Sequence, residues 1–180
     1  MKKFELTSET KINIFGKKLF RIKALISFGD VEAGETGGWV EKEGNVNQSG
    51  DAWVYGDAMV SGDAMVSGDA MVYGNAMVYG NAMVYGNAMV SGDAMVYGNA
   101  MVSGDAMVSG DADYTTIHGF GTQFRTTTFF RCKDKKVRVA CGCFFGTIPE
   151  FREQVKNTRK GKIAEEYLMI ADLMEKHFEK

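Results

Sequence analysis

The sequence predicts a mainly β fold built around a parallel β-solenoid, and three observations lead to this prediction. A six-residue unit, Gly-[Asp/Asn]-Ala-Met-Val-[Tyr/Ser], repeats without slippage from Gly50 to about Ala112, with Trp53 in place of the first methionine. Strand-like alternation precedes the repeat, and a hairpin followed by two helical patterns comes after it. We therefore divide the chain into an N-terminal β cap with a degenerate first coil (1–49), the repeat (50–112) and a small C-terminal α+β module (113–180).

Each repeat unit predicts one short strand and one corner. Gly followed by Asp or Asn tolerates positive φ and marks the corner, whereas Ala-Met-Val favours a strand. Because side chains alternate along a strand, Ala and Val share one face, which we expect inside, and Met takes the outer face. Three units per coil form a triangular solenoid that resembles the left-handed parallel β-helix of hexapeptide-repeat proteins.

Stacking at intervals of eighteen residues arranges the repeat methionines in three outward ladders. Exposed rows of flexible apolar side chains suit contact with another chain, so a homodimer or homotrimer through the solenoid is one expectation. Self-stacking on a solvent-exposed surface explains the ladders equally well. The candidate interface residues are Met59, Met65, Met71, Met77, Met83, Met89, Met95, Met101 and Met107.

The repeat lacks the residues of the enzymes that use similar solenoids. Acyltransferases need a catalytic histidine and gamma-type carbonic anhydrases need several metal-binding ones, but His118 and His177 both lie outside the repeat. We therefore expect no cofactor and no metal, and the hypothesis that the protein is an enzyme is less favoured than a non-enzymatic role. The sequence shows neither a signal peptide nor an apolar run long enough for a membrane span, so a cytoplasmic location in the host cell is expected.

Charge is segregated along the chain. Residues 50–112 carry no Lys or Arg against seven Asp, whereas residues 113–180 carry thirteen Lys or Arg against nine Asp or Glu. An anionic partner should therefore meet the C-terminal module. Sequence-specific DNA binding is not expected, because no helix carries a dense basic stripe.

The C-terminal module predicts a hairpin and two helices. The hairpin strands run from Thr126 to Cys132 and from Val137 to Phe145. The stretch from Thr147 to Glu150 is typical of a capping box and begins a helix to about Lys156. A second amphipathic helix is predicted over 163–178 and should pack on the sheet.

Pairing Cys132 opposite Val137 assigns the two faces of this hairpin. The more apolar face carries the three cysteines, which we interpret as core residues; a zinc site with His118, Cys132, Cys141 and Cys143 is a weaker alternative. The other face combines arginines with aromatic rings, as phosphate and base recognition require. A solvated outer face is the competing interpretation. The candidate ligand-binding residues are Arg125, Thr127, Phe129, Arg131, Arg138 and Phe144, with Ala140 between them and His118 nearby.

Both ends of the chain carry stretches that are specific enough to indicate a family. FELTSETK (4–11), LFRIKAL (19–25), GGWVE (37–41) and GDAWVYGDA (50–58) occur near the start, and TTTFFRCKDKKVRVACGCFFGTIPEFREQV (126–155) occurs near the end. In these stretches the chain resembles a family of phage and prophage hexapeptide-repeat proteins of unassigned function. The resemblance implies a phage context and transfers no catalytic residues.

Together these patterns favour a non-enzymatic, phage-type binding protein that captures a nucleotide-like anionic signal or a host protein, as in counter-defence or host takeover. The alternative is a structural protein that assembles through the solenoid. An enzyme of the C-terminal module using Cys141, Cys143 or His118 is the third hypothesis.

Overall fold

The computed structural model describes residues 2–179. The first three strands form an antiparallel unit: β1 (Phe4–Ile12) pairs with β2 (Lys18–Ala24), and β2 pairs with β3 (Thr36–Val40). A single turn of 3-10 helix at Glu43–Asn45 then leads towards the repeat.

The repeat forms a series of two-residue strands, each made of the outer residue and the valine of one unit. The strands are β4 (Trp53–Val54), β5 (Met59–Val60), β6 (Met65–Val66), β7 (Met71–Val72), β8 (Met77–Val78), β9 (Met83–Val84), β10 (Met89–Val90), β11 (Met95–Val96), β12 (Met101–Val102) and β13 (Met107–Val108).

These strands stack in parallel at the predicted interval of eighteen residues. Met59 pairs with Met77, and Met77 pairs with Met95. The three faces of the solenoid are the sheets β1-β2-β3-β5-β8-β11, β4-β7-β10-β13 and β6-β9-β12. The expectation of a repeat β-solenoid with three units per coil is therefore confirmed, and β3 adds a coil level ahead of the repeat by pairing with β5.

The interior is filled by the alanine and valine of each unit, as predicted. Every repeat Ala and Val from Ala52 to Val108 has an exposed fraction of 0 or 1%. Burying a valine side chain contributes about 1.5 kcal/mol or more. The methionines point outward and are half-buried, except Met65 and Met107, which are exposed.

Glycine corners allow neighbouring coils to approach closely. Gly80 has φ +74°, and a Cβ on it would lie 3.0 Å from the backbone N of Gly98 in the next coil. Gly98 has a similar φ of +67° but would find no atom within 4 Å of such a Cβ. Both corners thus adopt positive φ, whereas only at Gly80 would an added side chain crowd the backbone of the next coil.

The first coil contains two additional residues. Val40 pairs with Val60, a separation of twenty residues, whereas Val54 pairs with Val72 at the regular eighteen. The additional length lies in the segment that contains Gln48. The side-chain oxygen of Gln48 accepts a hydrogen bond from the backbone N–H of Lys3 at 2.8 Å, and this bond attaches the start of β1 to the first coil.

Backbone hydrogen bonds join each coil to the next, so the first coil has carbonyl groups without a preceding coil to supply their donors. In the regular repeat, an N–H such as that of Met59 donates to the carbonyl seventeen residues later, here that of Ala76. The Nζ of Lys3, with an exposed residue fraction of 2%, donates to the carbonyls of Gly50 at 3.1 Å and Ala52 at 2.8 Å. The side-chain amide of Asn45 donates hydrogen bonds in the same way to two carbonyls on a neighbouring face.

At the opposite end of the solenoid, the last coil has N–H groups without a following coil. Side-chain oxygens accept them, two from the 3-10 turn Asp111–Asp113 and one from the C-terminal sheet. The bonds run from Met95 N to Asp111 Oδ1 (3.2 Å), from Met101 N to Thr128 Oγ1 (3.0 Å) and from Ser109 N to Asp113 Oδ2 (2.9 Å).

The C-terminal module is an antiparallel sheet with two helices. The sheet contains β14 (Tyr114–Phe120), β15 (Arg125–Arg131), β16 (Val137–Cys141) and β17 (Phe144–Thr147), in that order. The helices are α1 (Ile148–Thr158) and α2 (Gly161–Phe178).

Both helices and the capping box are confirmed. Thr147 Oγ1 accepts the N–H of Glu150, while the Glu150 carboxylate accepts the N–H of Thr147 at 2.7 Å. The predicted second hairpin strand is in fact two strands, because Gly142 and Cys143 form a turn between β16 and β17.

The predicted register of the hairpin is wrong by one residue. Arg131 pairs with Val137, and Phe130 pairs with Arg138, so Arg131 and Arg138 do not face each other. A shift of one residue exchanges the faces of one strand relative to the other. Phe130 and Ala140 therefore pack against the end of the solenoid, whereas Phe129 packs under the helices.

Among residues 2–179, neither helix combines the length and the apolar composition that crossing a membrane requires.

Replacing Gly80 by alanine should destabilise the protein more than replacing Gly98. Both variants bear the cost of a non-glycine residue at positive φ, about 1 to 2 kcal/mol. Only the Gly80→Ala methyl group also meets the backbone of the next coil, so its free energy of unfolding should fall by about 1 to 3 kcal/mol more. Urea unfolding of the two variants measures the difference, and equal losses would contradict the close approach at Gly80.

The buried ammonium of Lys3 should make stability depend on pH. Burial lowers the pKa of Lys3 to about 8 from an ordinary 10.5, so between these values the unfolded chain binds more protons. The contribution of Lys3 to the free energy of unfolding should therefore rise from about pH 8 to about 10.5. The measurement is the stability of the wild type minus that of Lys3→Met across this range. The same subtraction with Lys2→Met is the control, and a Lys3 difference that is flat or falling would contradict the assignment.

Candidate ligand-binding cleft

The residues predicted to form one ligand-binding face do not lie together. Thr127 and Phe129 have exposed fractions of 1% and 0% and lie under the helices. Arg138 belongs to the opposite face of the sheet, where its Nη2 donates to Asp134 at 2.7 Å. His118 lies exposed on β14, with its Nδ1 3.2 Å from the hydroxyl oxygen of Thr126. The prediction of a single shared face is therefore wrong.

Arg131 links three parts of the module. Its Nη2 donates to the carbonyl of Phe178 at 2.9 Å, and its guanidinium lies over the Phe178 ring at 5.3 Å. Its Nε is 3.5 Å from the Asp113 carboxylate, next to the last coil. These contacts join β15 to the end of α2 and to the end of the solenoid. Arg131 is thus positioned to stabilise the module.

Arg125 and Phe144, in contrast, meet in a cleft between the sheet and α1. We call this cleft, with a volume of about 370 Å³, the arginine cleft. Four segments line it: the turn between β14 and β15 with the start of β15, the Cys-Gly-Cys turn with the adjoining ends of β16 and β17, α1 with the residue that follows it, and one residue of α2. The lining residues are Gly121, Thr122, Gln123, Arg125, Cys141, Cys143, Phe144, Phe151, Gln154, Val155, Thr158, Arg159 and Tyr167.

Two glycines allow the walls of the arginine cleft to pack as they do. Gly142 has φ +60°, and a Cβ there would collide with Nη1 of Arg125, so the guanidinium lies directly on the turn. Gly121 has φ +72°, and a Cβ there would lie 2.6 Å from the Tyr167 hydroxyl oxygen. That hydroxyl donates to the carbonyl of Phe120 at 3.2 Å, which anchors α2 to the end of β14.

The lining of the arginine cleft is cationic. It contains two guanidinium groups and no carboxylate. Among residues 2–179, neither Arg125 nor Arg159 is within ion-pair distance of an acidic group, whereas Arg131, Arg138 and Arg152 all have such partners. The C-terminal end of a helix carries partial negative charge, and Arg159 follows α1 directly and donates to the carbonyl of Thr158 at 3.2 Å. Arg125 therefore remains the group best able to pair with a bound anion.

Two thiols lie at the same cleft, which corrects the interpretation of all three cysteines as core residues. Cys141 is half-buried and accepts a hydrogen bond from Thr127 Oγ1 at 3.1 Å, and Cys143 is exposed in the turn. Cys132 alone is buried, on the solenoid side of the sheet, and burial raises its pKa to about 11. Because Cys132 and Cys141 lie on opposite faces, they are not arranged as the zinc alternative requires.

Sequence reasoning missed Gln123, Gln154 and Arg159 as lining residues. Gln154 and Arg159 belong to α1 and its end, and the predicted hairpin gave no indication that α1 would reach the open end of the sheet. The signal available in the sequence was that the helix with the capping box, α1, begins soon after the Cys-Gly-Cys turn, so that its exposed C-terminal end could lie near the same cleft.

The repeat region has a known counterpart. A family model described as YdcK Beta solenoid repeat matches residues 52–68, 64–80, 70–84, 76–92, 82–98 and 94–110. This is a repeat β-solenoid. The matched segments lie between residues 52 and 110, so they cover the solenoid and leave the arginine cleft outside. No curated protein matches the chain.

Replacing Arg131 by alanine should destabilise the protein, because the carbonyl of Phe178 and the carboxylate of Asp113 both lose a partner. Hydrogen bonds to charged groups contribute about 1.5 to 3 kcal/mol, and the free energy of unfolding should fall by a similar amount. Arg125→Ala is the matched control, since its guanidinium has no carboxylate partner among the described residues, and it should change stability by less than about 0.5 kcal/mol. Equal losses in urea unfolding would contradict the structural role of Arg131.

Proposed function

We propose that the protein binds a small anionic ligand with an aromatic ring, such as a nucleotide, in the arginine cleft, and acts by capture without chemical conversion. The observation that supports this most directly is the pair of guanidinium groups, Arg125 and Arg159, in a cleft whose lining includes no carboxylate. Guanidinium groups bind phosphate oxygens in a bidentate manner.

The size and the remaining lining of the cleft support the same ligand class. A volume of about 370 Å³ falls within the range of small-molecule sites. The amides of Gln123 and Gln154 supply donors and acceptors for a base edge, and the half-buried Phe144 offers an aromatic surface for stacking.

The biological setting is part of the proposal. The resemblance of both ends of the chain to phage and prophage hexapeptide-repeat proteins supports a counter-defence role in the host cytoplasm, in which the protein sequesters a signalling nucleotide. The same resemblance supports a left-handed coil and a capping role for residues 1–49. The solenoid then serves as a scaffold, and its half-exposed methionine ladders are the surface through which copies would assemble.

Arg125→Ala should weaken nucleotide binding by about tenfold to a hundredfold, because one charge-assisted bidentate contact is lost. Isothermal titration with linear and cyclic adenine and guanine nucleotides measures the affinity, with inorganic pyrophosphate and the uncharged nucleosides as comparison ligands.

Arg138→Ala is the matched control for this titration. It removes the same charge from the same module, but its guanidinium lies outside the cleft beside Asp134. Equal effects of the two substitutions, or no binding of any nucleotide to the wild type, would contradict the proposal.

A further inference from the structure

The Cys-Gly-Cys turn places two thiols at the mouth of a cationic cleft, an arrangement that anion binding does not require. Gly142 and Cys143 form the turn between β16 and β17, and Cys141 is the last residue of β16. Two residues span at most about 7 Å of chain, and a turn shortens this distance. The distance between the Cα atoms of Cys141 and Cys143 is thus within or close to the range of about 4.4 to 6.8 Å that a disulfide needs.

The two thiols differ in their surroundings in a way that suits successive steps of thiol exchange. Cys143 is exposed, so an incoming disulfide has access to its sulfur. Cys141 is half-buried and receives the Thr127 hydroxyl at 3.1 Å, which holds its sulfur beside the turn. Arg125 lies over Gly142, between the two cysteines, and supplies the positive charge that accompanies reactive thiols.

We propose that Cys141 and Cys143 form a dithiol–disulfide pair that exchanges with an anionic low-molecular-weight disulfide, of the class of oxidised glutathione, held by Arg125. The Cys143 thiol releases its proton to solvent, and the thiolate attacks one sulfur of the small disulfide. That sulfur–sulfur bond breaks, and the departing thiolate takes up a proton.

The second step forms the disulfide bond between Cys141 and Cys143. The Cys141 thiol loses its proton, and its thiolate attacks the Cys143 sulfur of the mixed disulfide, which expels the second small thiolate. Two protein thiols are thereby oxidised while one small disulfide is reduced to two thiols. A disulfide within so short a turn is strained and exposed, and such bonds are readily reduced again. Cys141 and Cys143 are therefore oxidised or reduced according to the ratio of small disulfide to small thiol in their surroundings.

The test is mass spectrometry of the intact protein, followed by peptide mapping, after exposure to excess oxidised glutathione. The wild type should lose the mass of two hydrogen atoms and show a bond between Cys141 and Cys143. Cys141→Ser should retain one glutathione on Cys143, because the resolving thiol is missing. Cys143→Ser should react at least about tenfold more slowly, as its remaining thiols are less accessible.

Two controls separate this exchange from general oxidation. Cys132→Ser removes only the buried thiol and should behave as the wild type. An uncharged small disulfide should oxidise the wild type more slowly than oxidised glutathione does, and Arg125→Ala should remove that preference.

Three results would overturn the proposal: a wild type whose thiols stay free, a glutathione adduct that persists on Cys143 of the wild type, or oxidation of Cys132 at the rate of Cys143. Nucleotide titration in reducing buffer involves no thiol exchange, so the proposed function and the dithiol pair can fail independently.

Discussion

Backbone hydrogen bonding from coil to coil is the constraint on which the rest of the structure depends. Each coil bonds to the next through its backbone, so the coil at either end of the solenoid presents backbone groups without a neighbouring coil. Buried backbone groups without partners are costly. The chain therefore provides donors at the first coil, from Lys3 and Asn45, and acceptors at the last, from Asp111, Asp113 and Thr128. The C-terminal sheet is attached to the solenoid partly because it supplies one of these acceptors.

The core of the solenoid could be predicted from sequence because its determinants are local and repeated. A period of six, a glycine at each corner and two small inward residues are sufficient to assign the inside, the outside and the eighteen-residue stack. The end partners could not be predicted in this way. Lys3 is far from Ala52 along the chain, and a lone lysine near a chain start gives no sign that it will be buried.

The hairpin register failed for a different physical reason. Face assignment assumes that one side of a sheet is apolar and the other is polar, but this sheet is covered on both sides. Phe130 packs against the solenoid and Phe129 against the helices, so alternation along β15 carries little information about register. With the register corrected, Arg125 and Phe144 keep a common site, while Arg131 and Arg138 take other roles. The arginine cleft lies where the turns at one end of the sheet meet α1 and Tyr167 of α2.

The position of the C-terminal module around the solenoid axis follows from the number of repeats. Three units complete one coil, so a gain or loss of eighteen residues would change the length of the solenoid and leave the module facing the same direction. A gain or loss of a single unit would instead turn the arginine cleft by a third of a revolution relative to the N-terminal strands. The orientation of the cleft is therefore a property that a change in the number of repeat units can alter without any change in the cleft itself.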